Sequence, residues 1–433
     1  MLTEAQLRQP IPPMATAETA EHLGAEQRDF LFWLQGRSVA ARGVGALAEE
    51  FVATHAASVR VRLAGCSPGR PPQLSNESLV PHVALYFVRF CVGSAQLSYQ
   101  DTYNVSIVGD ALTKFRAEQE AQARQRFVAT SIGATVQDCL SNALRLRRLI
   151  CIEGPPGFGK SFAAQSWSDL HLGQARYIRL RGITNRQGFF FTVLERLGFT
   201  GIEHSGADKL QRMLQNFLRT SRLMLLIDEA QNLLPAKECS KKRPELLDWI
   251  AGETFDESIP CALLTWADFA TRRAAAEQST SWRAEHLSRR ISRYTRLTTP
   301  PTEADFRAVA CGMLPDAGKG CHDLIAAYAM LSKHYMQAVV DVIGEARDLA
   351  ETAKRKGVTF ADVDAAISQR TVSDAAQVEA LASSGHRPRQ RSHAPAVAPL
   401  PSAPPSNLTL PSDRRAAAPA LPSSRAMQPE EAK

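Results

Sequence analysis

Gly154, Gly159, Lys160 and Ser161 stand within GPPGFGKS at the spacing G-x-x-x-x-G-K-[ST]. An apolar run, residues 149–152, precedes this stretch, and a helical pattern, residues 162–167, follows it. The order predicts a strand, a tight loop and a helix. Glycines let the backbone approach a ligand closely, and a helix start gathers N–H groups and positive dipole at one point. The segment Gly154, Pro155, Pro156, Gly157, Phe158, Gly159, Lys160, Ser161 and Phe162 is therefore a candidate cradle for phosphates. Lys160 would pair with the β- and γ-phosphates, and the Ser161 hydroxyl would bind Mg²⁺. A chance Gly-Pro turn beside a lysine is the alternative, and the flanking strand and helix patterns argue against it.

Residues 223–229, LMLLIDE, are an apolar run ending in two acids. Such a run predicts a buried parallel strand that delivers carboxylates at its carboxyl end. Asp228 would hold Mg²⁺, mostly through water, and Glu229 would polarise an attacking water. A third run, CALLT at 261–265, places Thr265 where a hydroxyl could sense the γ-phosphate, although threonine is also an ordinary strand residue. In residues 287–297, LSRRISRYTRL, Arg289, Arg290, Arg293 and Arg296 recur at near-helical spacing. One of them, Arg290 first, could reach a neighbouring subunit's γ-phosphate and stabilise transition-state charge. A solvated basic helix face is the other reading.

Together GPPGFGKS, LLIDEAQNL, CALLT, LSRRI and TPPTEADF resemble an AAA+ ATPase. DEAQNL, and FVAT at 127–130 shortly before the phosphate loop, are similar to the phage Mu B-type transposition ATPases; DEAQNL also occurs in secretion-associated and signalling ATPases. The resemblance covers residues 126–370 and, more weakly, 30–66. It implies ATP and Mg²⁺ as cofactors, assembly into a ring or filament on duplex DNA, and a transposase or integrase partner that stimulates hydrolysis. It places DNA contacts in the loop after the second strand, here Arg181, Asn185 and Arg186, and in the loop after the acidic strand, here Lys237, Lys241, Lys242 and Arg243. These would meet backbone phosphates with little sequence reading; solvated loop charge is the alternative. AAA+ lids usually carry a sensor arginine at the start of their third helix, where this chain offers only Lys333 and His334. Residues 43–65 resemble the helix-turn-helix of phage repressors, with Arg60 and Arg62 facing DNA. Val52 departs from that pattern, and a plain helical hairpin is the alternative.

The elements that would position these residues divide the chain. Residues 1–25 read as flexible, 26–125 as a mainly helical N-terminal region, 126–300 as an AAA+ P-loop core with a parallel sheet flanked by helices, and 301–372 as a helical lid. Residues 373–433, rich in Pro, Ala and Ser, read as a disordered tail. Residues 79–92 are apolar throughout and compatible with helix or strand. The net charge of +7 fits an anionic partner but equally plain solubility. Eight cysteines without a C-x-x-C pair argue for reduced thiols and against a zinc ribbon. No membrane span or signal peptide is recognisable, which predicts a cytoplasmic protein. The expected function is ATP-dependent, largely sequence-nonspecific DNA binding that regulates transposition. A helicase-loader-like replication ATPase and a nucleotide switch without productive turnover are the rivals.

Overall fold

The three apolar runs form the middle of a five-stranded sheet. Strands β1 (Leu149–Glu153), β2 (Ala175–Arg179), β3 (Met224–Asp228), β4 (Cys261–Thr265) and β5 (Ile291–Arg296) lie in the order β2-β3-β4-β1-β5, all parallel. Every residue of β1, β3 and β4 is buried, as expected of strands covered on both faces. The computed structural model describes residues 2–63, 75–93, 99–182, 185–234, 243–280 and 282–370, all of which fall in one compact unit, Met1–Arg389.

The N-terminal region holds α1 (Glu4–Leu7), α2 (Pro13–Glu21), α3 (Ala25–Ala40), α4 (Val44–Leu63), α5 (Asn76–Val92) and α6 (Tyr99–Arg126). Helix α7 (Ser131–Leu146) leads into β1, and α8 (Lys160–Leu170), α9 (Arg186–Arg196), α10 (Ala207–Ser221), α11 (Glu245–Asp256), α12 (Phe269–Ser279) and α13 (Glu285–Arg290) are interleaved with the strands. The lid region holds α14 (Glu303–Met313), α15 (Lys319–Leu331), α16 (Met336–Thr352) and α17 (Phe360–Arg370).

Two expectations are corrected here. Val44–Leu63 is one uninterrupted helix, not a helix-turn-helix. No glycine or proline breaks residues 46–63, so the chain has no reason to turn at Val52. Leu47, Ala48 and Phe51 are fully buried on α4, and Phe51 meets Phe87 of α5 edge-on at 5.5 Å. Arg60 and Arg62 fall on the last turns of α4, and their side chains lie outside the described residues. The arginines of 289–296 do not share a helix either. Arg289 and Arg290 end α13, whereas Arg293 and Arg296 lie on the exposed edge strand β5. Residues 79–92 prove helical, within α5.

The N-terminal helices and one face of the sheet share a single hydrophobic cluster. Phe32 of α3 packs edge-on against Phe217 of α10 at 6.2 Å, and Trp33 against Phe115 of α6 at the same distance. A buried guanidinium crosses this contact. Arg176 of β2 donates from Nη2 to the Phe32 carbonyl (2.8 Å) and to Gln35 Oε1 (2.9 Å), and from Nη1 to the Ala175 and Leu172 carbonyls. Gly36 makes room for it: a Cβ there would stand 2.5 Å from Arg176 Nη2. Burial pushes the Arg176 pKa down to about 10, so it stays charged at neutral pH. Arg176→Ala strands these acceptors in an apolar contact. It is expected to lower the free energy of unfolding by about 3 kcal/mol, measured as a shift in urea midpoint.

The opposite sheet face is covered by α7 and α8, with Val136, Leu140, Ala164 and Trp167 buried. The lid helices have their own core, in which Val339, Val342, Ile343 and Ala346 of α16 are fully buried. The lid is joined to α7 through Asp305, which accepts from the Ser131 N–H (2.7 Å) and hydroxyl (2.8 Å) while serving the capping box of Thr302. At its far end the Arg355 guanidinium holds the Asp362 carboxyl well below the usual carboxylate range; burial opposes this and Thr359 adds to it. A carboxyl depressed on folding stabilises the fold above its unfolded pKa, about 4, and that contribution is lost as the pH falls through the folded value. Between about pH 4 and pH 2 the parent should therefore lose stability more steeply than Asp362→Asn, compared by thermal melts across that range.

Candidate functional site

The parallel register brings the carboxyl ends of four strands to one edge. Glu153 of β1 stands beside Thr265 of β4, and Arg179 of β2 beside Asp228 of β3. The loop that leaves β1 wraps over this edge and enters α8 at Lys160. Gly157 and Gly159 have φ of +80° and +89°, which side chains other than glycine resist. Gly157 is also pressed against the lid: a Cβ there would lie 2.5 Å from the His334 carbonyl. The Met336 N–H donates to the Gly157 carbonyl (2.9 Å), and Phe158 meets Tyr335 edge-on at 4.8 Å.

A cavity of about 770 Å³ opens between this loop, the acidic strand end and the lid. Lys160, Ser161, Asp228, Glu229 and Thr265 all line it, together with Arg179. The Lys160 ammonium donates to the Gly154 and Pro155 carbonyls, both at 2.7 Å. Burial pushes its pKa down to about 8, against the pull of Asp228 and Glu229. Asp228 is buried; it accepts from the Glu229 N–H (3.0 Å) and from the Tyr177 hydroxyl. Burial first, then the Asp228 charge, hold the Tyr177 phenol protonated, so it acts as donor. Glu229 sits at φ +58°, and its carboxylate accepts from Arg179 (3.3 Å) and from Gln231. The Thr265 hydroxyl is buried and has no oxygen or nitrogen partner.

The other wall of the cavity is apolar. Phe127 and Phe162 stack at 6.4 Å, and Val309, Met313 and Val340 of the lid face them. Such a wall suits a flat heterocycle, with the loop beside it suited to the phosphates. The Thr265 hydroxyl, which has only the Cys151 thiol as a neighbouring partner among the described residues, and the Ser161 and Asp228 oxygens fit a phosphate chain with Mg²⁺. The ion would take few protein ligands and complete its shell with phosphate and water. Among the described residues no three His, Cys, Asp or Glu side chains cluster as a ready metal cage. Bound there, the ion would offset the charge of the phosphates.

The remaining candidates are placed less centrally. Lys333 and His334 line the cavity where the lid enters α16. Arg290 does not line it; it packs by Gly252 of α11. Arg289 is exposed and paired with Glu285, and Arg293 with Asp138 at 3.3 Å. Asn185 caps α9 by accepting from the Gly188 N–H (2.7 Å), and Arg186 pairs with Asp208 (2.8 Å) and Gln211. Both thus have partners within the chain, while Arg181 is exposed in its loop. Arg243 pairs with Asp248 at 2.9 Å; Lys237, Lys241 and Lys242 lie outside the described residues. Tyr177 and Arg179 are the site residues that motif reading did not single out. Their one signal is position, at the end of the strand beside the acidic one.

The fold and this edge define an AAA+ P-loop architecture: a central parallel sheet, a glycine loop after β1, acids at the end of β3 and a helical lid. Residues 144–263 match the family model of an AAA domain. No curated protein sequence matches the chain. Among solved structures it is similar to the Aeropyrum pernix ORC2 protein with ADPNP and ADP (12% identity, 55% of this chain and 66% of that one, TM-score 0.43). It is also similar to Cdc6p from Pyrobaculum aerophilum (17%, 57% and 66%, TM-score 0.40) and to Drosophila ORC bound to DNA (13%, 76% and 76%, TM-score 0.38). The chain spans just under two thirds of the length of the first two. Among the described residues no helix is long and apolar enough to cross a membrane, and every cysteine is free.

Proposed function

We propose that this chain is an ATP hydrolase that binds duplex DNA with little sequence preference, assembles on it as a ring or filament, and regulates a transposase. The observation that carries the hydrolase reading is the convergence of Lys160, Ser161, Asp228, Glu229 and Thr265 on one cavity beside an apolar wall. Lys160 and the loop amides would hold the phosphates, Ser161 and Asp228 would hold Mg²⁺, Thr265 would meet the γ-phosphate, and Glu229 would take the proton of the attacking water. Arg290 acts on the neighbouring subunit's nucleotide, and its place outside its own cavity suits that role. The DNA and transposase part rests on the resemblance of DEAQNL and FVAT to Mu B-type ATPases and on the basic net charge. With α4 unbroken, that part draws on Arg181 and the loop after β3 rather than on a helix-turn-helix.

The nucleotide-switch reading has one observation in its favour: Glu229 is held by Arg179 and Gln231 rather than left open to water. ATP turnover with and without duplex DNA, with electron microscopy of the same samples, separates the readings. DNA-stimulated turnover with ATP-dependent rings or filaments supports the proposal. Tight ATP binding with no assembly and no response to DNA overturns the DNA and transposase part.

A further inference from the structure

A second cavity, of about 520 Å³, lies at the other end of the sheet. It is lined by the connections that lead into the strands: Arg147 before β1, Gly173 and Gln174 before β2, Arg222 before β3 and Pro260 before β4. Arg28 of α3 reaches it from the N-terminal helices, and Arg145 from α7. The nucleotide site uses none of these side chains.

The Arg28 and Arg147 guanidinium groups are held by backbone carbonyls, while Arg145 and Arg222 are exposed at the rim. Arg28 donates to the Ala20 carbonyl (3.2 Å) and to those of Glu21 and Leu23 (both 3.4 Å). Arg147 donates from Nε to the Ser258 carbonyl (3.1 Å). Arg147 and Arg222 both occupy left-handed helix-end positions, with φ of +52° and +59°, where asparagine or glycine would be cheaper. Among the described residues none of Arg28, Arg147 and Arg222 joins an ion pair. The lining carboxylate, Asp29, is occupied by Arg116 (2.5 Å) and by Gln174 (2.9 Å). Burial, then the charges of Arg222 and Arg28, hold the Arg147 pKa below its ordinary value, so these cations repel one another.

Helix dipoles do not cancel this charge. The carboxyl ends of α7, α8 and α10 reach the cavity through Arg147, His171 and Arg222, and the amino end of α3 through Ala25. At about half a charge each, these ends sum to roughly −1, against four arginines and Asp29, whose partner Arg116 is shared with Glu120. About two positive charges are left over. Gly24, the N-cap of α3, has no side chain to satisfy the first N–H groups of that helix.

We infer that this cavity is a second anion site, shaped for a phosphate-bearing ligand and separate from the glycine loop. The guanidinium forks match phosphate oxygens, and the α3 amino end adds backbone donors. The ligand would also relieve the repulsion among the arginines, which gives the site an affinity of its own.

The test is calorimetric titration of inorganic pyrophosphate into the full chain saturated with a non-hydrolysable ATP analogue and Mg²⁺. The parent should show saturable binding. Arg147→Asn with Arg222→Asn keeps both left-handed turns comfortable, and it should weaken pyrophosphate by at least roughly tenfold, for two charge-assisted bonds lost. Affinity for the ATP analogue should not change. Arg28→Gln, which leaves both turns intact, should weaken pyrophosphate in the same direction. No saturable pyrophosphate binding by the parent, or equal binding by all variants, overturns the inference. A short DNA duplex in the same competition identifies the source: displacement by pyrophosphate in the parent alone points to a polynucleotide backbone, and saturable pyrophosphate binding untouched by duplex points to a free phosphorylated compound. Nucleotide binding at the glycine loop is read in its own titration, so its failure would be seen separately.

Discussion

Glu229→Gln should bind ATP about as tightly as the parent and turn it over roughly 10²- to 10⁴-fold more slowly, the usual contribution of a positioned general base. Glutamine keeps the size of the side chain and can still accept from one of its two partners, but it cannot accept a proton from water. The carboxylate also has to be released before it acts, since Arg179 and Gln231 hold it beside the phosphate cavity. Single-turnover measurement of phosphate release, beside equilibrium binding of a fluorescent ATP analogue, separates the chemical step from affinity. Equal rates in Glu229→Gln and the parent would remove Glu229 from the reaction.

Lys160→Ala should weaken ATP by about 3 kcal/mol, roughly 100-fold in Kd, because it deletes charge-assisted bonds to phosphate from a buried site. The same lysine gives affinity a pH dependence with a defined sign. Without ligand, burial sets its pKa near 8, below the ordinary lysine value. A bound phosphate chain favours the ammonium and raises that pKa, so above about pH 8 binding must take up a proton. Affinity should be flat below that pH and fall by up to about tenfold per unit above it. Calorimetry in two buffers of different ionisation enthalpy would show the proton uptake at pH 9, and Lys160→Ala should lose it.

Legibility in the sequence followed from how locally each feature is determined. β1, β3 and β4 stand out because buried parallel strands are unbroken apolar runs, and their register places Lys160, Asp228 and Thr265 around one cavity. β5 was hidden because an exposed edge strand carries ISRYTR, whose arginines suggest a basic helix face. The helix-turn-helix resemblance of residues 43–65 rests on a spaced pattern of small and apolar residues, and α4 satisfies that pattern by burying Leu47, Ala48 and Phe51 as one continuous helix. Tyr177 and Arg179 carried no local signal, since what matters about them is the strand they lie beside. Asn185 caps α9, and a side-chain oxygen that suits a cap also suits a binding residue, so spacing alone does not separate the two uses.

The Arg176 tether on the inner side of α3 has a practical consequence. The N-terminal helices are not a detachable module; they pack on α10 and share one hydrophobic cluster with the sheet and the helices that cover it. A chain cut near residue 126 to isolate the ATPase would leave Phe217, Phe199 and the Arg176 guanidinium facing solvent or one another. The resulting fragment should clump rather than dissolve.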